Sequence, residues 1–88
     1  MNSPDQTTVP LSKPIKRGDQ EIAEITLRKP AAGELRGLKL MDVINMDVAS
    51  LSVLLPRIAT PTLTRADVEA LALPDLLDIG VEVTNFFA

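Results

Sequence analysis

Eighty-eight residues, 45% hydrophobic and 24% charged, fit one small soluble domain and exclude a fibre or a chain too polar to collapse. The absence of Cys and His removes disulfides, thiolate nucleophiles, zinc knuckles and the usual general base, and the only aromatic residues are Phe86 and Phe87. The net charge of −3 divides into +2 over residues 1–39 and −5 over residues 40–88, and the basic part lacks the stacking platforms and recognition helix of a nucleic-acid binder.

The first eleven residues, rich in Pro, Thr, Ser and Gln, carry too little apolar surface to offset the entropy of ordering. Residues 1–11 therefore read as a flexible arm and residues 12–88 as a single small domain. The polar start does not resemble a secretory signal, and no apolar run approaches the ~20 residues that span a bilayer. A soluble chain, kept inside the cell that makes it, is expected.

Residues 11–15 form a short edge strand interrupted by Pro14, and Lys16-Arg17-Gly18-Asp19-Gln20 turns it into a hairpin. The Arg-Gly-Asp triplet is better explained by that turn than by cell adhesion. Residues 21–28 alternate, with Ala23, Ile25 and Leu27 on one face and Glu24, Thr26 and Arg28 on the other, as a half-buried strand requires; Ile22 disturbs the pattern. Pro30 ends this strand and opens a helix to about Leu40, with Leu35, Leu38 and Met41 on one face beside Leu40 and Ile44. Gly33 and Gly37 weaken it by ~1 kcal/mol each relative to Ala.

Asp47 is placed to cap a helix over residues 48–55, where Val48, Leu51, Leu54 and Leu55 make one stripe and Pro56 closes or kinks the end. Residues 59–62 read as a loop. Thr64-Arg65-Ala66-Asp67 has the form of a capping box, with Val68 and Leu71 facing inward. Pro74 starts the last helix, and Asp75 suits the positive end of its dipole. Residues 81–84 alternate like a strand, but Leu76, Gly80, Val83 and Phe87 share a helical face, so a helix through Phe86 is expected. The order of elements predicts an α+β fold, a small N-terminal antiparallel β-hairpin packed on a cluster of three to four short helices.

Chemistry is hard to find in these residues. The four glycines never assemble into a phosphate-binding loop, and no Ser lies beside a base. The carboxylate pairs Asp75 with Asp78 and Asp67 with Glu69 are accounted for by helix capping and solvated faces. Arg28, Lys29, Arg36 and Lys39 gather around the strand-to-helix junction, where a solvated face explains them better than an acidic partner does. No catalytic residue, cofactor or metal site is expected, which leaves an interaction module or a structural protein.

Three stretches carry a resemblance: ITLRKPAAGELRGLK over residues 25–39, LLPRIATPTLTRADV over residues 54–68, and LPDLL over residues 73–77 with the terminal Phe86-Phe87. Together, from about Glu21 onward, they look like the small tail assembly chaperones of Mu-like and related contractile-tailed phages. Ala31 departs from the pattern, since a small hydroxylated residue is expected after the Pro to cap the helix. The resemblance implies a non-catalytic protein encoded just upstream of the tape measure protein, active in the host bacterial cytoplasm and absent from the mature virion. It further implies that the protein coats the tape measure until tail tube subunits polymerise around it, and that a longer form arises by a programmed frameshift. The partners implied are the tape measure protein, that longer form, tail tube subunits and further copies of the chain, with no nucleic acid and no membrane.

Leu76, Ile79, Val83, Phe86 and Phe87 are the candidate partner-binding residues, being C-terminal and including both aromatics. A core role competes for each, and Ile25, Leu27, Leu38, Leu51, Leu54 and Leu55 are assigned to the core outright. Two rival functions are a nucleic-acid-binding regulator using the basic N-terminal hairpin and a structural tail subunit. Asn85-Phe86-Phe87-Ala88 can also be encoded as AAT TTT TTT GCN, a run on which two tRNAs can re-pair after slipping back one nucleotide.

Overall fold

The computed structural model describes residues 5–87. Strands β1 (Gln6–Arg17) and β2 (Gln20–Arg28) pair antiparallel, and the short β3 (Ala59–Thr60) adds to the other edge of β2 through Thr26 and Leu27, giving the order β1-β2-β3. A 3-10 turn (Ala32–Leu35) leads to four helices, α1 (Leu40–Ile44), α2 (Val48–Ile58), α3 (Arg65–Glu69) and α4 (Leu73–Asn85). The result is the α+β arrangement expected, with the loop over residues 59–62 giving up Ala59–Thr60 to the sheet.

Gly18 and Asp19 close the hairpin between the paired Arg17 and Gln20, and Gly18 is left-handed at φ +61°. That is the arrangement of a type II′ turn, whose twist matches the strands and whose first position favours glycine. β1 begins five residues before the expected strand, so Gln6 to Leu11, assigned to a flexible arm, are in the sheet. Composition misled there: Val9 and Leu11 alternate with Thr8, Pro10 and Ser12, and both are buried, Val9 opposite Ile25. The rest of the proposed arm, residues 1–4, lies outside the described residues.

The register of β1 on β2 shifts between Pro10, which pairs with Glu24, and Ile15, which pairs with Ile22. Residues 11–14 of β1 thus stand against Ala23 alone, a bulge that bends the hairpin and resets the facing. In consequence Ile22 and Ile25 are both buried, whereas Ala23, expected inward, is exposed.

The helix expected over residues 30–40 is interrupted. Gly37 is left-handed at φ +83°, and the chain makes only the 3-10 turn before restarting at Leu40. Ala31 precedes that turn with no side-chain cap, in line with its missing hydroxyl. Asp47 caps α2 as expected, accepting from the Ser50 backbone N–H at 2.9 Å. Leu51, Leu54, Leu55 and Ile58 are buried against Ile25 and Leu27 of the sheet, while Val48 of the expected stripe is half exposed. Pro56 falls in the last turn and the helix continues to Ile58.

The capping box is complete: Asp67 N–H donates to Thr64 Oγ1 at 3.1 Å, and Thr64 N–H to Asp67 Oδ2 at 2.9 Å. The same carboxylate receives the Arg17 guanidinium, which ties the end of the hairpin to α3. Asp67 is held below the ordinary carboxylate range by the Thr64 backbone N–H, with Arg17 and the Thr64 hydroxyl outweighing its partial desolvation. Val68 and Leu71 point inward, as expected.

Candidate functional site

α4 has two apolar faces, and their difference defines the site. Its inward face carries Asp75, Ile79 and Val83 at a spacing of four, all buried. Its outward face carries Leu73, Leu77 and Val81 at the same spacing, and Leu73 is 79% and Leu77 56% exposed. Beside it α1 leaves Leu40, Met41 and Ile44 exposed and buries only Val43.

The two helices approach closely because of Met46 and Gly80. Asp47 N–H donates to Asp42 C=O at 2.9 Å and Met46 N–H to Val43 C=O at 3.0 Å, a Schellman ending in which Met46 occupies the left-handed position (φ +61°) usually given to glycine. Met46 then lies over Gly80: a Cβ built there would stand 2.6 Å from Met46 Cε. Packing of this side chain offsets a backbone strain of ~1–3 kcal/mol. Met46 and Leu51 floor a shallow depression of about 310 Å³ whose walls are Leu73, Leu76 and Leu77. At the far end of α4 a second depression of about 250 Å³ is lined by Pro30, Ala32, Leu35, Leu40, Phe86 and Phe87.

The residues proposed from sequence separate into two groups. Leu76 is half-buried in the first depression; Phe86, half-buried, and Phe87, 39% exposed, line the second. Ile79 and Val83 have no exposed area and belong to the core, because they fall on the stripe of α4 that faces the sheet and α2. Sequence reasoning missed Leu73, Leu77 and Val81, as well as Leu40, Met41 and Ile44. The 73/77/81 spacing was the available signal, a second stripe beside the first.

Asp75 does not act through the helix dipole alone. It is 1% exposed, and its two oxygens accept the backbone N–H groups of Ser12 at 2.7 Å and Lys13 at 3.1 Å, inside the β1 bulge. Burial raises its pKa, but the Ser12 and Lys13 bonds outweigh that and hold the carboxyl below its ordinary range. Asp75 therefore pins β1 to α4 and sets the side of the face on which β1 lies. On that side Glu82 accepts from Thr7 Oγ1 at 3.1 Å.

At the strand-to-helix junction Arg28 pairs with Glu34 at 2.7 Å and donates to the Arg57 carbonyl at 2.9 Å, while Arg57 donates to the carbonyls of Glu34 and Arg36. Two cations there hold the junction together, and Lys29, Arg36 and Lys39 are exposed around them. Among the described residues no cluster of three or more His, Cys, Asp or Glu could hold a metal ion, and no helix is long and apolar enough to cross a membrane.

The profile of a family described as phage tail assembly chaperone proteins, E, or 41 or 14, matches residues 8–88. Tail assembly protein E of Escherichia phage P2 is 43% identical over 83 residues, which cover 94% of this chain and 91% of that protein. Tail assembly protein E′ of the same phage is 44% identical over 81 residues, 92% of this chain but only 57% of the longer relative. No solved structure matches.

Proposed function

This chain belongs to the phage tail assembly chaperone family, and on that premise we propose that it binds the tape measure protein and keeps it soluble during tail assembly. The observation that supports this reading is the apolar face of α1 and α4. A soluble domain that leaves Leu40, Met41, Leu73 and Leu77 in water has reason to do so if an apolar helical client covers them. The role is non-catalytic: the face offers shape and apolar surface. Leu76, Phe86 and Phe87 join it from the sides, and Ile79 and Val83 support it from below.

The partners follow from the same reading. They are the tape measure protein, a longer form of this chain made by frameshifting, and tail tube subunits that displace the chaperone as the tube grows. The longer form has a counterpart in E′, of which this chain covers 57%. The work is done in the host bacterial cytoplasm, and mass spectrometry of purified particles is expected to find none of this protein. A gene reading TTT TTT at Phe86 and Phe87 carries the slippery run; a TTC at the first of these codons removes that proposal alone.

Co-expression tests the main reading. The cognate tape measure protein, encoded next to this gene, is expected in the soluble fraction with the chaperone and in the pellet without it. Equal solubility in both cases refutes the function.

A further inference from the structure

We propose that the α1–α4 face takes an amphipathic helix of about four turns whose apolar stripe is flanked by Lys and Arg; this rests on the chaperone reading and specifies which segment of a client it grips. Shape favours a helix. α4 has 13 residues, about 20 Å at the helical rise, and its outward stripe recurs every four residues, a ridge of the kind that packs into the groove of a second helix crossing it. The face itself is made of helix side chains, and the strand edge beside it, that of β1, lacks an N–H at Pro10 and has its Ser12 and Lys13 N–H groups committed to Asp75, which leaves an extended segment little ladder to continue.

Charge selects the kind of helix. α1 and α4 contain no basic residue, and their carboxylates other than the inward Asp75 are Asp42, Asp78 and Glu82. The two cations of residues 40–88 are engaged elsewhere: Arg57 donates to the Glu34 and Arg36 carbonyls, and Arg65 pairs with Glu69 at 3.4 Å. Lys39, the residue before α1, is exposed at the Leu40 end, but along α4 the apolar strip is bordered by Asp78 and Glu82, which line a groove with Val81, and carboxylates there favour a partner whose own apolar stripe is bordered by cations. The same rim disfavours a second copy. A two-fold packing of α4 on itself would double Asp78 and Glu82 with no Lys or Arg from that helix to offset them.

The probes are two fluorescein-labelled peptides of about fifteen residues with an identical Leu stripe at helical spacing, one with Lys and one with Glu on the flanks. Titration of the intact protein, followed by anisotropy, is expected to show the Lys peptide binding at least about tenfold tighter, a gap that narrows as salt rises from about 0.05 to 0.5 M. Leu77→Ser with Val81→Ser, both at exposed positions, is expected to weaken the Lys peptide about tenfold with an unchanged circular dichroism spectrum. Asp78→Lys is expected to weaken the Lys peptide and strengthen the Glu peptide.

Equal affinity for the two peptides, binding of neither, or binding that ignores Leu77→Ser with Val81→Ser overturns the proposal. So does a dimer in sedimentation that this double variant abolishes, which assigns the face to a second copy. The chaperone reading fails separately. If the peptides discriminate as described but the tape measure protein is not kept soluble, the face stands and the function falls. If the Leu77→Ser, Val81→Ser variant rescues the tape measure protein fully, the function stands and the face falls.

Discussion

Asp75→Asn isolates the contact that joins the hairpin to the helices. The substitution keeps the size of a side chain that is 1% exposed but removes the charge and replaces one acceptor oxygen with a donor. One backbone N–H, from Ser12 or Lys13, must then face an NH₂ group. A hydrogen bond to a charged group contributes ~1.5–3 kcal/mol, and a stranded buried donor costs ~1–3 kcal/mol. Ser12 and Lys13 are themselves exposed, so water can recover part of the loss, and the expected cost is about 2 kcal/mol. For a domain of this size that lowers Tm by roughly 10 °C. With no Trp or Tyr, the assay is urea and thermal unfolding followed by far-ultraviolet circular dichroism.

The pH dependence provides a second check on the same contact. The folded carboxyl has its pKa below the ordinary value of 3.8, so the unfolded chain binds this proton more tightly than the folded chain. Its stabilisation is therefore complete above the ordinary carboxyl range and is lost as pH falls through the lower folded value. The gap between the native chain and Asp75→Asn is expected to be full at pH 7 and to close below about pH 4. Asp67, also lowered, is common to both chains and cancels in the difference. A gap under about 0.5 kcal/mol at pH 7, or one that stays constant to pH 3, refutes the account of Asp75 as a charged anchor.

Val83→Ser, at a position with no exposed area, is expected to cost at least about 2 kcal/mol in urea unfolding, whereas Leu77→Ser on the outward face stays within about 0.5 kcal/mol. Similar costs for the two would contradict the division of α4 into core and partner faces. Thr64→Ala removes one half of the capping box and is expected to cost about 1 kcal/mol, measured the same way. Gly80→Ala places a methyl against Met46, and in combination with Met46→Ala its cost is expected to fall by about 0.5–1.5 kcal/mol relative to the sum of the single changes. Strict additivity would mean that the two residues do not share that space.

Elements with a local chemical cause were legible in the sequence. The hairpin turn at Gly18-Asp19 needs a left-handed glycine, the Asp47 cap and the Thr64–Asp67 box need only their own side chains and nearby amides, and Pro74 suits the first turn of α4. What escaped depended on partners far along the chain. Strand β1 is held over Gln6 to Pro10 by pairing with residues up to 22 positions away, which no composition window reports. Ala23 lost its inward place to a bulge in the opposite strand, and Asp75 bonds to amides about 62 residues earlier.

The candidate face shows why a site without chemistry is harder to read than a core. A single helical period describes one apolar stripe, and in α4 the stripe through Ile79 and Val83 satisfies it. Choosing that stripe as partner-facing because it holds the C-terminal apolar residues selected the positions that folding itself needs most. The residues left over, Leu73, Leu77 and Val81, are exposed, and they are the ones the proposed partner would cover. An apolar residue that completes the core says nothing about binding, while an apolar series repeated on a second, exposed face is the surface that the proposed partner would use. On that ground Leu77 and Val81, rather than Val83, are the positions at which substitution separates binding from folding.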